Sequence, residues 1–159
     1  MNKALVIGYG NTMRGDDGAG PRAAALIAER YPSVTCLYPH ELSPELAETI
    51  AAYSTVVFVD AQEMGTRLST SVVHSGSCVP GSHTMTPADL LGIASAVYGT
   101  VPEEAILVQV PAFSFDLGEQ LSSRTQAYVE QCSFLVGAFL RARADLEQHP
   151  DEHQRDVAL

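Results

Sequence analysis

Two consecutive acids, Asp16 and Asp17, lie in a glycine-rich stretch that opens with Gly8-Tyr9-Gly10 and closes with Gly18-Ala19-Gly20. Further along, Asp60 ends an apolar run, and His40 and His83 stand in loops. A glycine-rich turn before a helix ordinarily receives phosphate, but adjacent carboxylates repel an anion there. They suit a cation instead. One aspartate could be used up as a helix cap; two in succession point in different directions, so one is left over. Two carboxylates and an imidazole make an O,O,N set with open positions, which fits a borderline divalent metal such as nickel or zinc. By spacing alone His40 and His83 are equal candidates for the imidazole. His149 and His153 fall in a polar segment, and His74 ends an edge-type strand where a solvent-facing ring is the default. Asp60 has a plainer reading too, as a cap for the turn after its strand.

Nucleotide motifs fail on the same residues. Gly8 and Gly10 supply two glycines of a GxGxxG fingerprint, but the third position is Met13, and no Gly-Lys-Ser/Thr follows for a phosphate loop. Nucleophile constellations are missing as well: none of Cys36, Cys78 and Cys132 has a histidine beside it in sequence.

These residues need a scaffold that brings them to one edge. The run from Lys3 to Ile7 reads as a buried strand, and Ala23 to Arg30 as a helix with Pro21 at its first regular position. Ser33 to Tyr38 predicts a short strand. Ser43 is the expected cap of a second helix running to about Tyr53, with Pro44 at its first position. Thr55 to Asp60 reads as a strand buried on both faces, as at the centre of a parallel sheet. Arg67 to His74 alternates weakly and is the candidate for an antiparallel edge strand. Thr86 and Pro87 start a third helix that ends near Tyr98-Gly99. Ala105 to Val110 is the last strand, stopped by Pro111, and Leu117 to Arg143 carries the longest helical pattern. Strands alternating with helices predict a three-layer αβα domain around a mostly parallel, twisted sheet of about five strands. Asp17 and Asp60 then arrive at the carboxyl edge, where open α/β sheets bind ligands.

The 159 residues fit one domain, expected over 1–144, with 145–159 a polar, disordered tail. A net charge of −10 argues against nucleic acid or an anionic membrane surface as partner. No apolar run is long enough to insert in a membrane. Three widely spaced cysteines without a CxxC point to reduced thiols and a cytoplasmic protein.

The stretch from Gly8 to Gly20 resembles the N-terminal signature of the [NiFe]-hydrogenase maturation endopeptidases. The resemblance extends to Val59-Asp60-Ala61, to His83-Thr84-Met85-Thr86-Pro87 and to the layout through the last helix, roughly the first 140 residues. It implies an aspartic-type protease that removes the C-terminal extension of the hydrogenase large-subunit precursor after nickel insertion. By motif, the metal-binding acid, Asp and His of that family carry over to Asp17, Asp60 and His83. The nickel would be the substrate's own, so no tightly bound resident cofactor is expected. There are two departures. Many members place the later His directly after Ser-Pro, where this chain has Ala88; here it precedes Met-Thr-Pro, as in a subset of the family. Where many have an Asp-Gly-Gly-Thr-like segment for substrate handling, this chain has Pro39-His40-Glu41-Leu42, leaving His40 and Glu41 as candidate substitutes. A carboxylate-activated water is the economical route to cleavage, with Asp17 or Asp16 as base, although a plain helix-start cap accounts for Asp16 more simply. The competing readings are a hydrolase with its own bound metal acting on a small molecule or peptide, and a non-catalytic chaperone that checks nickel loading.

Overall fold

A computed structural model describes residues 3–76 and 84–148, the last four by backbone alone. Its order is β1 (Ala4–Gly8), α1 (Ala19–Arg30), β2 (Thr35–Leu37), α2 (Leu46–Ala51), β3 (Thr55–Glu63), β4 (Ser69–Val72), α3 (Pro87–Ile93), β5 (Glu104–Ala112) and α4 (Ser123–Gln148). The sheet runs β2-β1-β3-β5-β4. Its first four strands are parallel and β4 is antiparallel to β5, as alternating elements with one weakly alternating edge segment led us to expect.

The apolar strands are buried on both faces because helices cover both. Val6, Val57, Val59, Val108 and Val110 pack toward α1 and α4, with Ala23, Ile27, Val129 and Val136. Leu5, Ile7, Val56 and Phe58 point the other way, onto Ile50 of α2 and Leu90 of α3. Phe58 has no exposed surface, and a side chain of that size contributes about 1.5–3 kcal/mol through burial. The start of α3 follows its sequence closely. Thr86 and Asp89 form a reciprocal capping box, with Pro87 at the first turn. A π-helical turn, Ala94–Tyr98, carries this helix on to Gly99.

Several boundaries differ from expectation. A 3₁₀ turn over Gly15–Gly18 leads into α1 two residues before Pro21. Ser43 caps no helix with its side chain; its carbonyl accepts from the Leu46 amide in a turn, and α2 starts at Leu46. β3 continues past Asp60 to Glu63, held by β5 through the pair Glu63–Ala112. Pro111 does not stop β5. It pairs with Gln62, and β4 covers only Ile106 to Gln109, so no strand on that side asks Pro111 for an amide hydrogen. Residues 117–122 precede α4 rather than opening it, and α4 reaches Gln148, past the expected start of the tail. Among the described residues no helix is long and apolar enough to cross a membrane.

Candidate active site

β1 leads left to β2, while β3 lies on its other side, so the crevice between β1 and β3 is the switch point of the sheet. β1 ends at Gly8, opposite Val59, and the Tyr9 amide donates the last bond to the Val59 carbonyl. Asp60 is therefore the first residue of β3 to lose its β1 neighbour. The chain after β1 turns sharply into α1. Gly8 and Gly20 touch backbone to backbone there, and a Cβ on either would strike the other segment. Gly10 has φ of +146° and lies against the Asp17 carbonyl. The glycines thus let strand and helix meet closely.

Asp17 is half-buried at this crevice, and its Oδ2 accepts from the Asn11 amide at 2.8 Å. Asp60 is also half-buried; its Oδ1 accepts from the Ala61 amide at 2.8 Å, and the Tyr9 hydroxyl bonds the same carboxylate. Burial chiefly, with the nearby negative charge of Asp17, pushes Asp60 up to about 6 despite those bonds. Burial, with the negative charge of Asp60, also raises the Tyr9 phenol. A cation at this edge would relieve the penalty that burial and the neighbouring Asp17 place on the charged form of Asp60. Among the described residues neither belongs to an ion pair.

Asp16 has a different role from the expected helix-start cap. Neither the 3₁₀ turn nor α1 receives a side-chain cap. Asp16 is fully buried and reaches across to the β5–α4 connection. It accepts from the Phe113 amide (2.9 Å), the Ser114 amide (3.0 Å), the Ser122 amide (2.7 Å) and the Ser122 hydroxyl (2.7 Å). Burial opposes its charge, but these four donors outweigh it and hold the carboxyl below its ordinary range.

His83 lies outside the described residues, as does Cys78. His40 and Glu41 are exposed on the loop after β2. That loop abuts the first turn, where the Gly10 amide donates to the Pro39 carbonyl at 3.4 Å. Both side chains therefore sit on the rim, with no hydrogen bond to either acid among the described residues. Among those residues, too, no three His, Cys, Asp or Glu side chains converge. The thiols of Cys36 and Cys132 are pushed up to about 11 and about 12 by burial, which keeps them from acting as thiolate nucleophiles. The small residues of α3 serve packing: Ala88 and Gly92 lie against Gly76, and Ala94 is buried in the core.

Sequence reasoning missed Tyr9 and Ser122. Tyr9 directly follows β1 within the glycine-rich motif, a position that points into the same crevice. Ser122, 106 residues from its partner Asp16, carries no local signal beyond being a serine just before a long helix.

Fold and site together define an αβα protein that presents two carboxylates, in place of a phosphate loop, at its switch point. Solved structures of hydrogenase maturation peptidases share this architecture. The maturating endopeptidase HybD of Escherichia coli is 23% identical, with 89% of this chain and 93% of that one covered, at a TM-score of 0.69. The hydrogenase 2 maturation peptidase of Thaumarchaeota archaeon SCGC_AB-539-E09 is 26% identical over 87% and 98% of the two chains, TM-score 0.65. HybD of Thermococcus kodakarensis, a [NiFe] hydrogenase maturation protease, is 21% identical over 86% and 98%, TM-score 0.65. No protein-family model and no curated protein sequence matches the chain. The resemblance carried by the first-turn motif is therefore borne out by the fold.

Proposed function

We propose that this chain is a hydrogenase maturation endopeptidase that removes the C-terminal extension of a [NiFe]-hydrogenase large-subunit precursor once nickel is in place. The observation that carries this reading is the pair Asp17 and Asp60, two mutually repelling acids at the switch point of a fold shared with hydrogenase maturation peptidases. Nickel enters as part of the substrate. Asp17 and Asp60, with His83 carried over by motif, would supply hard oxygen and imidazole donors to an ion otherwise held by the precursor's soft thiolates. Coordination would then report that maturation has occurred.

A water activated by a carboxylate cuts the peptide bond in this reading. Asp16 is unsuited as base, because four donors occupy its carboxylate within the core. Asp17 takes that role, which makes the chemistry aspartic in type; three widely spaced cysteines read as reduced thiols support a cytoplasmic setting for it.

Incubation with purified precursor, with and without nickel, followed by mass measurement, tests the reading. A mass loss equal to the extension, seen only with nickel, is the expected result. Cleavage of unrelated peptides by protein carrying its own stoichiometric metal would replace it with a resident-metal hydrolase. Tight binding that leaves the precursor at full length would replace it with a checkpoint chaperone.

A further inference from the structure

β3 ends in a turn whose third residue contradicts its conformation. The Gly65 amide reaches back to the Gln62 carbonyl at 3.4 Å, and between them Met64 has φ of +58°, a left-handed value that L side chains adopt at a cost. Among the described residues it alone of the non-glycines does so. The glycine of this turn is next door, at Gly65, where a Cβ would crowd Gln62 and Pro111. The Met64 amide donates to the Ala112 carbonyl at 3.1 Å, which fixes the turn to the end of β5. The side chain so held is 81% exposed. A strained backbone thus displays a large apolar group to solvent, and neither cost brings the fold any packing in return.

Its placement supplies the return. Met64 lies four positions after Asp60, in the turn that directly follows β3, so even at the full strand rise of about 3.3 Å per residue the two lie within roughly 13 Å. An extended polypeptide running from the acids toward the end of β3 would span that distance in about four residues. Met13 and Leu117 are also exposed on the carboxyl edge, at 47% and 87%, and are brought together by the Gly118 amide donating to the Met13 carbonyl at 2.8 Å. Methionine is flexible and polarisable, suited to seating an apolar side chain of varied shape.

We infer that Met64 is a substrate-contacting, specificity-setting residue that receives an apolar side chain of the precursor a few residues from the scissile bond; this rests on the peptidase reading above. Met64→Gly removes the contact and the strain together, whereas Met64→Ala removes the contact and keeps the left-handed L residue. With nickel-loaded precursor, both variants are expected to raise KM about tenfold with kcat nearly unchanged. Met64→Gly should melt at or above the wild-type temperature, and Met64→Leu should largely restore KM. A residue serving only the fold would not lose affinity while keeping or gaining stability. Wild-type KM in both Met64→Gly and Met64→Ala would overturn the inference and leave the peptidase reading standing. A wild-type protein that leaves nickel-loaded precursor at full length would overturn both.

Discussion

Asp16 and Asp17 are neighbours in sequence with the same side chain, yet they sit in opposite environments. The carboxylate of Asp16 is fully buried and met by four donors from the β5–α4 connection. That of Asp17 is half-buried, accepts one amide bond from Asn11, and faces Asp60 across the crevice. The first region spends its charge on tying distant chain segments together. The second accumulates charge that the fold itself does not neutralise among the described residues. Adjacent acids in a tight turn can therefore divide the work, one anchoring the geometry in which the other is displayed.

The largest expected effect is on the anchoring side. Asp16→Ala leaves amide donors buried without an acceptor, and Asp16→Asn turns an amide donor toward them; each should cost about 3–5 kcal/mol by urea denaturation. For a chain of this size that lowers the melting temperature by about 10 °C. A loss under about 1 kcal/mol would dissolve the contrast between the two acids.

The crevice should behave with the opposite sign. Asp60 titrates near 6 in the folded protein, above the ordinary carboxylate range. The native state therefore holds its proton more tightly than the unfolded chain. That stability is complete below about pH 4 and is lost as pH rises through about 6. Asp60→Asn should abolish this loss, raising stability at pH 7 by about 1–2 kcal/mol after allowance for the partial exposure of the site. Urea midpoints measured from pH 4 to 8 give the slope; an unchanged slope in the variant would show that Asp60 is not the strained group.

A smaller effect sharpens the coupling. Tyr9→Phe removes the hydroxyl that bonds the Asp60 carboxylate. It should cost about 1 kcal/mol or less at neutral pH and move the Asp60 transition to higher pH. A downward shift would mean the phenol does not stabilise the charged form.

The sequence made the central part of this picture legible because its signals are local. The apolar run Thr55–Val59 announced a buried strand, and Thr86 and Pro87 marked a helix start that the structure reproduces, with Asp89 adding the reciprocal bond of a capping box. An acid in the turn after the first strand and another ending the run Thr55–Asp60 were enough, in a parallel sheet, to place Asp17 and Asp60 on one edge. What escaped depends on partners far along the chain. Asp16 is separated by 97 to 106 residues from the groups that hold it, so only a local cap could be read for it. Pro111 looked like a terminator because β4's short pairing with β5, which leaves that position undemanding, belongs to the sheet and not to the segment. The strain at Met64 was equally hidden, since the glycine of its turn stands one position later, at Gly65.

One paired measurement bears most directly on the division of labour at the first turn. Asp17→Asn and wild-type protein are incubated with nickel-loaded large-subunit precursor, the precursor mass is followed with time, and both proteins are melted under the same buffer conditions. Expected is full loss of processing by Asp17→Asn with stability within about 1 kcal/mol of wild type. Processing at the wild-type rate by a folded Asp17→Asn protein would contradict the assignment of the site to this crevice.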